Sequence, residues 1–343
     1  MALEPAAARQ PLASFLREAL GADCEVTALE RLTGGTVQDN WRLDAVIAGE
    51  SRRFVLRTGR AVGVADSLPA PAEFAVLRSA AAVGVRVPTP VAACADDSVT
   101  GAPFFVMEYV EGESRPWKLQ RDGGVMAHGD ALLEQIGAQL GRLQTIRPGA
   151  AGLDALGKAP RDIAREQVAT MRAYLDTHEY PHPAIEYALR WLEVNAPGPT
   201  APVLCHGDFR FGNVMIGGGE VRAILDWELS RWGDAHEDLG WFCMRFFRFG
   251  RPDLAGGGLG RRAALLRGWT SARGVEPDPV AIRYWDIMAN TRWAVVSLQQ
   301  VARHVSGREP SLELALVGLG TAEMELEALS LIARELAGGG HSA

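Results

Sequence analysis

The stretch from Val203 to Asp226 constrains the fold of this chain most. Two short β-prone runs, Val203-Leu204-Cys205 and Val214-Met215-Ile216, bracket a polar loop, His206-Gly207-Asp208-Phe209-Arg210-Phe211-Gly212-Asn213. Gly217-Gly218-Gly219 then joins the second run to a third, Val221-Arg222-Ala223-Ile224-Leu225, which ends on Asp226. The neighbouring sequence is helical in pattern, as at Leu132, Leu133, Ile136, Leu140 and Leu143. A strand-forming island inside a helical region predicts a local hairpin that presents a polar loop.

The first third reads differently. Leu12, Phe15, Leu16 and Leu20 recur on one helical face, and Cys24 to Arg57 reads as strands. Trp41, Leu43, Ala45 and Ile47 alternate with more polar neighbours, Ala48-Gly49-Glu50-Ser51 turns the chain, and Phe54-Val55-Leu56-Arg57 returns, which predicts an antiparallel hairpin preceded by the turn Thr33-Gly34-Gly35-Thr36. Residues 59–71 contain two glycines and two prolines and predict a loop; Ala72 to Val83 predicts a helix. Another strand pair is expected around Val91 and at Phe104-Phe105-Val106-Met107. Beyond Glu108-Tyr109-Val110-Glu111-Gly112, helices are predicted near 160–178, 182–195, 260–272, 280–304 and 310–337. The expected architecture is α+β: a small strand-rich amino lobe, residues 1–107, and a larger, mainly helical carboxy lobe, residues 108–343.

Composition removes several functions. Thirty-five basic against 42 acidic side chains give a formal charge of −7, so the electrostatic footprint of a general nucleic-acid binder is missing. Cys24, Cys94, Cys205 and Cys243 are far apart and form no CxxC, which argues against a disulfide framework or a cysteine-rich zinc site and favours the reduced cytoplasm. Glu4 and Arg9 lie among alanines and prolines without a basic start, and no apolar run approaches the ~18 residues of a membrane span. The expected partner is a small molecule, not nucleic acid or a membrane.

The polar loop fits H-x-D-x-x-x-x-N, and Asp226 follows in Ile224-Leu225-Asp226-Trp227-Glu228. Gly, Asp and Asn are common in turns, yet phosphoryl transfer explains the whole set. One carboxylate orients or deprotonates an attacking hydroxyl, while an amide oxygen and a second carboxylate hold magnesium against a triphosphate. Asp208 is then the base, with Asn213 and Asp226 the Mg²⁺ ligands and His206 a buttress of the loop.

His206-Gly207-Asp208 with Asn213, Leu225-Asp226-Trp227-Glu228, and Gly233-Asp234 followed by Asp238-Leu239 resemble the signature of the aminoglycoside phosphotransferase and choline kinase branch of the protein-kinase-like fold. The likeness runs more weakly from about Leu29 to the last helix. Within that branch, Phe54-Val55-Leu56-Arg57 and the stretch from Trp241 to Gly250 look like bacterial proteins similar to the phosphotransferase domains joined to acyl-CoA dehydrogenases.

The resemblance implies an ATP-dependent enzyme whose amino lobe clamps the nucleotide. Gly34, Gly35 and Thr36 are then the phosphate-approaching turn; Arg57 stands where protein kinases carry a lysine, with Glu73 as its helical partner. A guanidinium keeps the charge but has a planar fork and greater bulk. The backbone of Glu108 and Val110 would meet the adenine edge. Asp238 is expected to anchor the loop through backbone hydrogen bonds.

Between Leu229 and Val275 there are eight arginines against four acids, and Arg245, Arg248 and Arg251 recur at a spacing that shares part of a helical face. That excess favours an anionic acceptor, such as a hydroxyacyl-CoA, over a polycationic antibiotic; a buried aromatic helix with a solvated arginine edge explains the same residues. Three alternatives remain open: an aminoglycoside O-phosphotransferase, a nucleotide-binding pseudokinase, and a two-metal hydrolase built on His206-x-Asp208, His236-x-Asp238 and Asp226.

Overall fold

The computed structural model describes residues 3–32, 39–59, 67–178, 180–307 and 309–338. Helix α1 (Pro5–Leu20) buries Ala8, Leu12 and Leu16 and ends at Gly21, whose N–H donates to the Arg17 carbonyl at 2.9 Å. Strands β1 (Cys24–Arg31), β2 (Asp39–Ile47) and β3 (Glu50–Thr58), helix α2 (Ala70–Ala82), and strands β4 (Pro90–Cys94) and β5 (Phe104–Glu108) follow. After them come α3 (Pro116–Leu119), α4 (Gly123–Ala127), α5 (Gly129–Leu143), α6 (Ile163–Leu175), α7 (Pro183–Val194), β6 (Val203–Cys205), β7 (Val214–Gly217), β8 (Glu220–Ile224), β9 (Arg231–Gly233) and α8 (Glu237–Cys243). The chain closes with α9 (Arg262–Arg273), α10 (Pro279–Val305), α11 (Leu312–Gly318) and α12 (Thr321–Leu336). Among the described residues no helix is long and apolar enough to cross a membrane.

The chain divides into two compact units. The first comprises Met1–Glu113, Gly149–Gly157 and Val214–Ser230; the second comprises Ser114–Pro148, Lys158–Asn213 and Arg231–Ala343.

In the first unit, five antiparallel strands form one sheet in the order β1-β2-β3-β5-β4. The predicted hairpin is β2–β3, in register from Asp39 opposite Thr58 to Ile47 opposite Glu50. Alternation places Trp41, Leu43, Ala45 and Ile47 in one core with Phe54, Leu56 and the α1 residues Leu12 and Leu16. Arg57 falls on the other face of β3, yet only 6% of it is exposed. The helix expected from Ala72 begins at Ala70, because Pro71 occupies the first turn, where its missing N–H and fixed φ are harmless. The β7–β8 hairpin also belongs to this unit: Ile216 and Glu113 exchange backbone bonds of 2.8 and 2.9 Å, and the Ile224 N–H donates to the Arg86 carbonyl at 2.8 Å.

The second unit is helical. The predictions near 160–178, 182–195, 260–272 and 280–304 correspond to α6, α7, α9 and α10. Two expectations are corrected. The single helix expected over 310–337 is α11 and α12, parted at Leu319 and Gly320. The arginines at 245, 248 and 251 share no helical face: α8 ends at Cys243, Arg245–Arg248 is a 3-10 turn, and Phe249 adopts φ 48°.

Helices α5 and α9 cross with backbone against backbone. A Cβ at Gly137 would collide with the Leu265 carbonyl, and one at Gly268 with the Glu134 carbonyl. Glycine elsewhere in a helix interior costs about 1 kcal/mol relative to alanine; here the close approach requires it. Gly268→Ala is therefore expected to lower stability by about 1–3 kcal/mol in spite of its better helix propensity. A urea unfolding midpoint equal to or above that of the wild type would show that the crossing has room.

Candidate active site

In the second unit, pairing of β6 with β9 fixes the base of the His206–Asn213 loop. The loop turns at Gly207, whose φ of 85° favours a residue without Cβ. Asp238, in the first turn of α8, accepts from the backbone N–H groups of His206 at 2.8 Å and Gly207 at 3.0 Å. That is the anchoring expected of it, and it uses both carboxylate oxygens. His206 is fully buried, and its Nδ1 faces the Asp208 N–H at 3.3 Å.

Asp208 is held from two sides. Its Oδ1 accepts from Trp241 Nε1 at 2.9 Å, and its Oδ2 accepts from Arg210 Nε at 2.9 Å and Asn213 Nδ2 at 2.8 Å. Hydrogen bonds to a carboxylate are stronger than those between neutral groups, so three of them hold this one in a fixed orientation. The Asn213 amide also donates to the Asp208 carbonyl at 2.9 Å. Its Oδ1 accepts no hydrogen bond from the described residues and is a hard oxygen of the kind magnesium takes.

In the first unit, Arg57 sits among three carboxylates. Its Nε lies 2.9 Å from Glu73 Oε1, and its Nη2 lies 2.6 Å from Asp226 Oδ1 and 3.1 Å from Glu228 Oε2. Burial works against the charged guanidinium, but Glu73, Asp226 and Glu228 outweigh it and raise its pKa above the ordinary arginine value. The sheet face and the first turn of α2 thus form the pairing expected of Arg57 and Glu73. Asp226 has φ 68°, a left-handed conformation that aspartate tolerates better than most residues. Trp227 is buried and donates from Nε1 to the Ile224 carbonyl at 3.0 Å.

At the end of β5, the Glu108 N–H donates to the Thr89 carbonyl at 2.9 Å and its side chain pairs with Arg52; the Val110 N–H has no partner among the described residues. Gly34, Gly35 and Thr36 lie outside the described residues.

Arg245 and Arg248 of the arginine stretch bind other protein groups, while Arg251 is exposed. Arg245 pairs with Glu323 at 3.3 Å, and Arg248 donates to the Cys243 and Pro252 carbonyls. Sequence reasoning missed the contacts that Trp241 and Arg210 make with Asp208. Trp241 lies within an aromatic run that reads as core, so it carries no local signal.

A model of the phosphotransferase enzyme family, APH, matches residues 28–275. The chain belongs to that family. This phosphotransferase is 32% identical over 182 residues to acyl-CoA dehydrogenase family member 10 of Mus musculus, a match that covers 51% of this chain and 16% of that protein's length. Its fold is similar to that of a protein of Ralstonia eutropha assigned as an aminoglycoside phosphotransferase, with TM-score 0.76 and 23% identity over 95% of this chain and 98% of the other. A spectinomycin phosphotransferase solved with ADP and spectinomycin gives TM-score 0.61 and 14% identity over 96% and 99% of the two chains. The phosphotransferase accordingly has the kinase-like fold, with a small antiparallel-sheet amino lobe and a helical carboxy lobe.

Arg57→Met removes a buried guanidinium that faces three carboxylates and is expected to destabilise the phosphotransferase by about 3–5 kcal/mol, whereas Arg57→Lys should lose less because it keeps the charge but not the fork. Urea titration of the variants checks this ordering, which a methionine variant as stable as the wild type would contradict.

Proposed function

We propose that this phosphotransferase moves the γ-phosphoryl group of ATP to a hydroxyl of a small molecule, with Asp208 as the base. The observation that carries the reading is the Asp208 carboxylate, immobilised by Trp241, Arg210 and Asn213 beside an Asn213 Oδ1 with no hydrogen-bond partner among the described residues. The acceptor hydroxyl gives its proton to the Asp208 carboxylate as its oxygen bonds to the γ-phosphorus, and ADP leaves. Positioned proton transfer of this kind contributes roughly 10²–10⁴-fold.

Asn213 Oδ1 and the Asp226 carboxylate would hold Mg²⁺, which would neutralise charge on the triphosphate. Arg57, oriented by Glu73, takes the place of the kinase lysine. The backbone at Glu108 and Val110 receives the adenine edge, and the open Val110 N–H suits that role. By sequence, Gly34, Gly35 and Thr36 are the candidates for the phosphate contact. Residues 1–107 form the nucleotide clamp, and residues 108–343 carry the catalytic loop, the metal site and the acceptor-binding helices. The four free cysteines agree with a cytoplasmic setting.

For the acceptor, the similarity to acyl-CoA dehydrogenase family members favours an anionic alcohol such as a hydroxyacyl-CoA. An aminoglycoside needs unengaged carboxylates, whereas Asp238 and Glu237 beside the loop are both tied to protein donors. The same engagement of Asp238 disfavours a two-metal hydrolase, and among the described residues no group of three or more His, Cys, Asp and Glu is arranged to hold a metal ion. The Arg57–Glu73 pair disfavours a pseudokinase.

Asp208→Asn should reduce phosphoryl transfer at least ~10²-fold while leaving the dissociation constant for Mg-ATP within about twofold. Asp226→Ala should abolish the magnesium dependence of nucleotide binding. Transfer assays over hydroxyacyl-CoA thioesters and aminoglycosides, with calorimetric nucleotide titrations, decide both points; near wild-type turnover by Asp208→Asn would refute the mechanism.

A further inference from the structure

Arg292, on α10, lies outside residues 28–275, so the family match assigns it nothing. Its guanidinium lies over the Trp241 indole, 4.6 Å from the ring centroid, and makes no hydrogen bond or ion pair with the described residues. The acidic groups whose charge reaches it are all engaged elsewhere. Asp208 binds Trp241, Arg210 and Asn213; Asp238 binds the His206 and Gly207 amides. Glu237 accepts from Arg231 at 2.6 Å and from the Asp234 N–H at 2.8 Å. Burial, then the positive charge of Arg231, depress the Arg292 pKa to about 10, with Glu237, Asp208 and Asp238 only partly offsetting them. The group is therefore still cationic at neutral pH, with unengaged donors in a partly buried setting.

Its surroundings are aromatic. Trp241 meets Phe247 at 5.6 Å and Trp293 at 5.7 Å between ring centroids, and Phe247 meets Trp293 at 5.0 Å. Arg210 covers the other part of this wall, 5.4 Å from the Phe247 ring, but its Nε is bound to Asp208. One indole thus links two functions: its N–H fixes the Asp208 carboxylate, and its π face seats an arginine that has no hydrogen-bond or ion-pair partner among the described residues.

We propose that Arg292 recognises the acceptor, an alcohol that carries a carboxylate or phosphate, by binding that anionic group while the hydroxyl faces Asp208. This rests on Asp208 as the acceptor-side base. An oxyanion beside Asp208 has two sources, the acceptor's own anionic group and the phosphoryl group in transit. The acceptor is the better match, because the guanidinium sits in an aromatic wall that suits an organic chain and the triphosphate charge already has Arg57 and magnesium in the reading above.

The test measures binding, so it stands apart from turnover. Isothermal titration calorimetry follows 3-hydroxybutanoate, neutral 1,3-butanediol and inorganic phosphate into the Mg-ADP-saturated full chain, for the wild type, R292Q and R292K. The expected result is at least a ~10-fold weaker dissociation constant for 3-hydroxybutanoate in R292Q, an intermediate value in R292K, and no change for 1,3-butanediol. Mg-ADP affinity should stay within about twofold in all three proteins, which also reports that each variant is folded. Equal 3-hydroxybutanoate affinity in R292Q and wild type, or no saturable binding by the wild type, overturns the proposal. Loss confined to inorganic phosphate assigns the guanidinium to the phosphoryl group and overturns it equally. A chain that binds 3-hydroxybutanoate through Arg292 yet transfers no phosphate to any alcohol defeats the kinase reading and leaves this one standing.

Discussion

The hydrogen bonds from two consecutive backbone amides to the Asp238 carboxylate hold the His206–Asn213 loop in place. A loop that turns through a positive-φ glycine has no ladder to satisfy its N–H groups, and burying them unpaired is costly. Asp238 meets that need from a neighbouring helix. It couples the position of Asp208 to α8, the same helix that supplies Trp241. The loop and the donor that orients its carboxylate are therefore tied to one helix, which is the condition that the base proposed at Asp208 requires.

The two units show different ways of fixing charge. In the second, Asp208 is positioned by an indole N–H, an amide and a guanidinium, all at ordinary hydrogen-bond lengths. In the first, a single guanidinium on β3 gathers side chains from α2 and from the segment after β8. The sheet makes this possible: alternation along β3 sends Phe54 and Leu56 into the α1 core and leaves Arg57 on the opposite face. A buried ion cluster of this kind is a weak source of stability but a strong constraint on which conformation is adopted.

Much of this was legible in the sequence because it is local. The β2–β3 hairpin follows from alternation across a Gly-containing turn, and the loop from His206 to Asn213 carries its chemistry within one short span. Arg57 and Glu73 could be paired by position along a strand and the helix after it. What escaped was long-range. Trp241 and Arg292 meet Asp208 chemistry only through tertiary packing of α8 and α10, so nothing near either residue announces a role. Local rules also misled at particular points: Pro71 reads as a breaker although it suits the start of α2, and evenly spaced arginines after Trp241 read as helical although Met244 and Phe249 depart from helical geometry.

The cluster at Arg57 grades its carboxylates by their access to solvent. One guanidinium faces Glu73, Asp226 and Glu228, so three acids converge on a single positive centre of β3. With 7% or less of the Arg57, Glu73 and Glu228 side chains exposed, water weakens those attractions little. Asp226, the most exposed of the three carboxylates at 34%, is the one whose charge a solute can reach from outside.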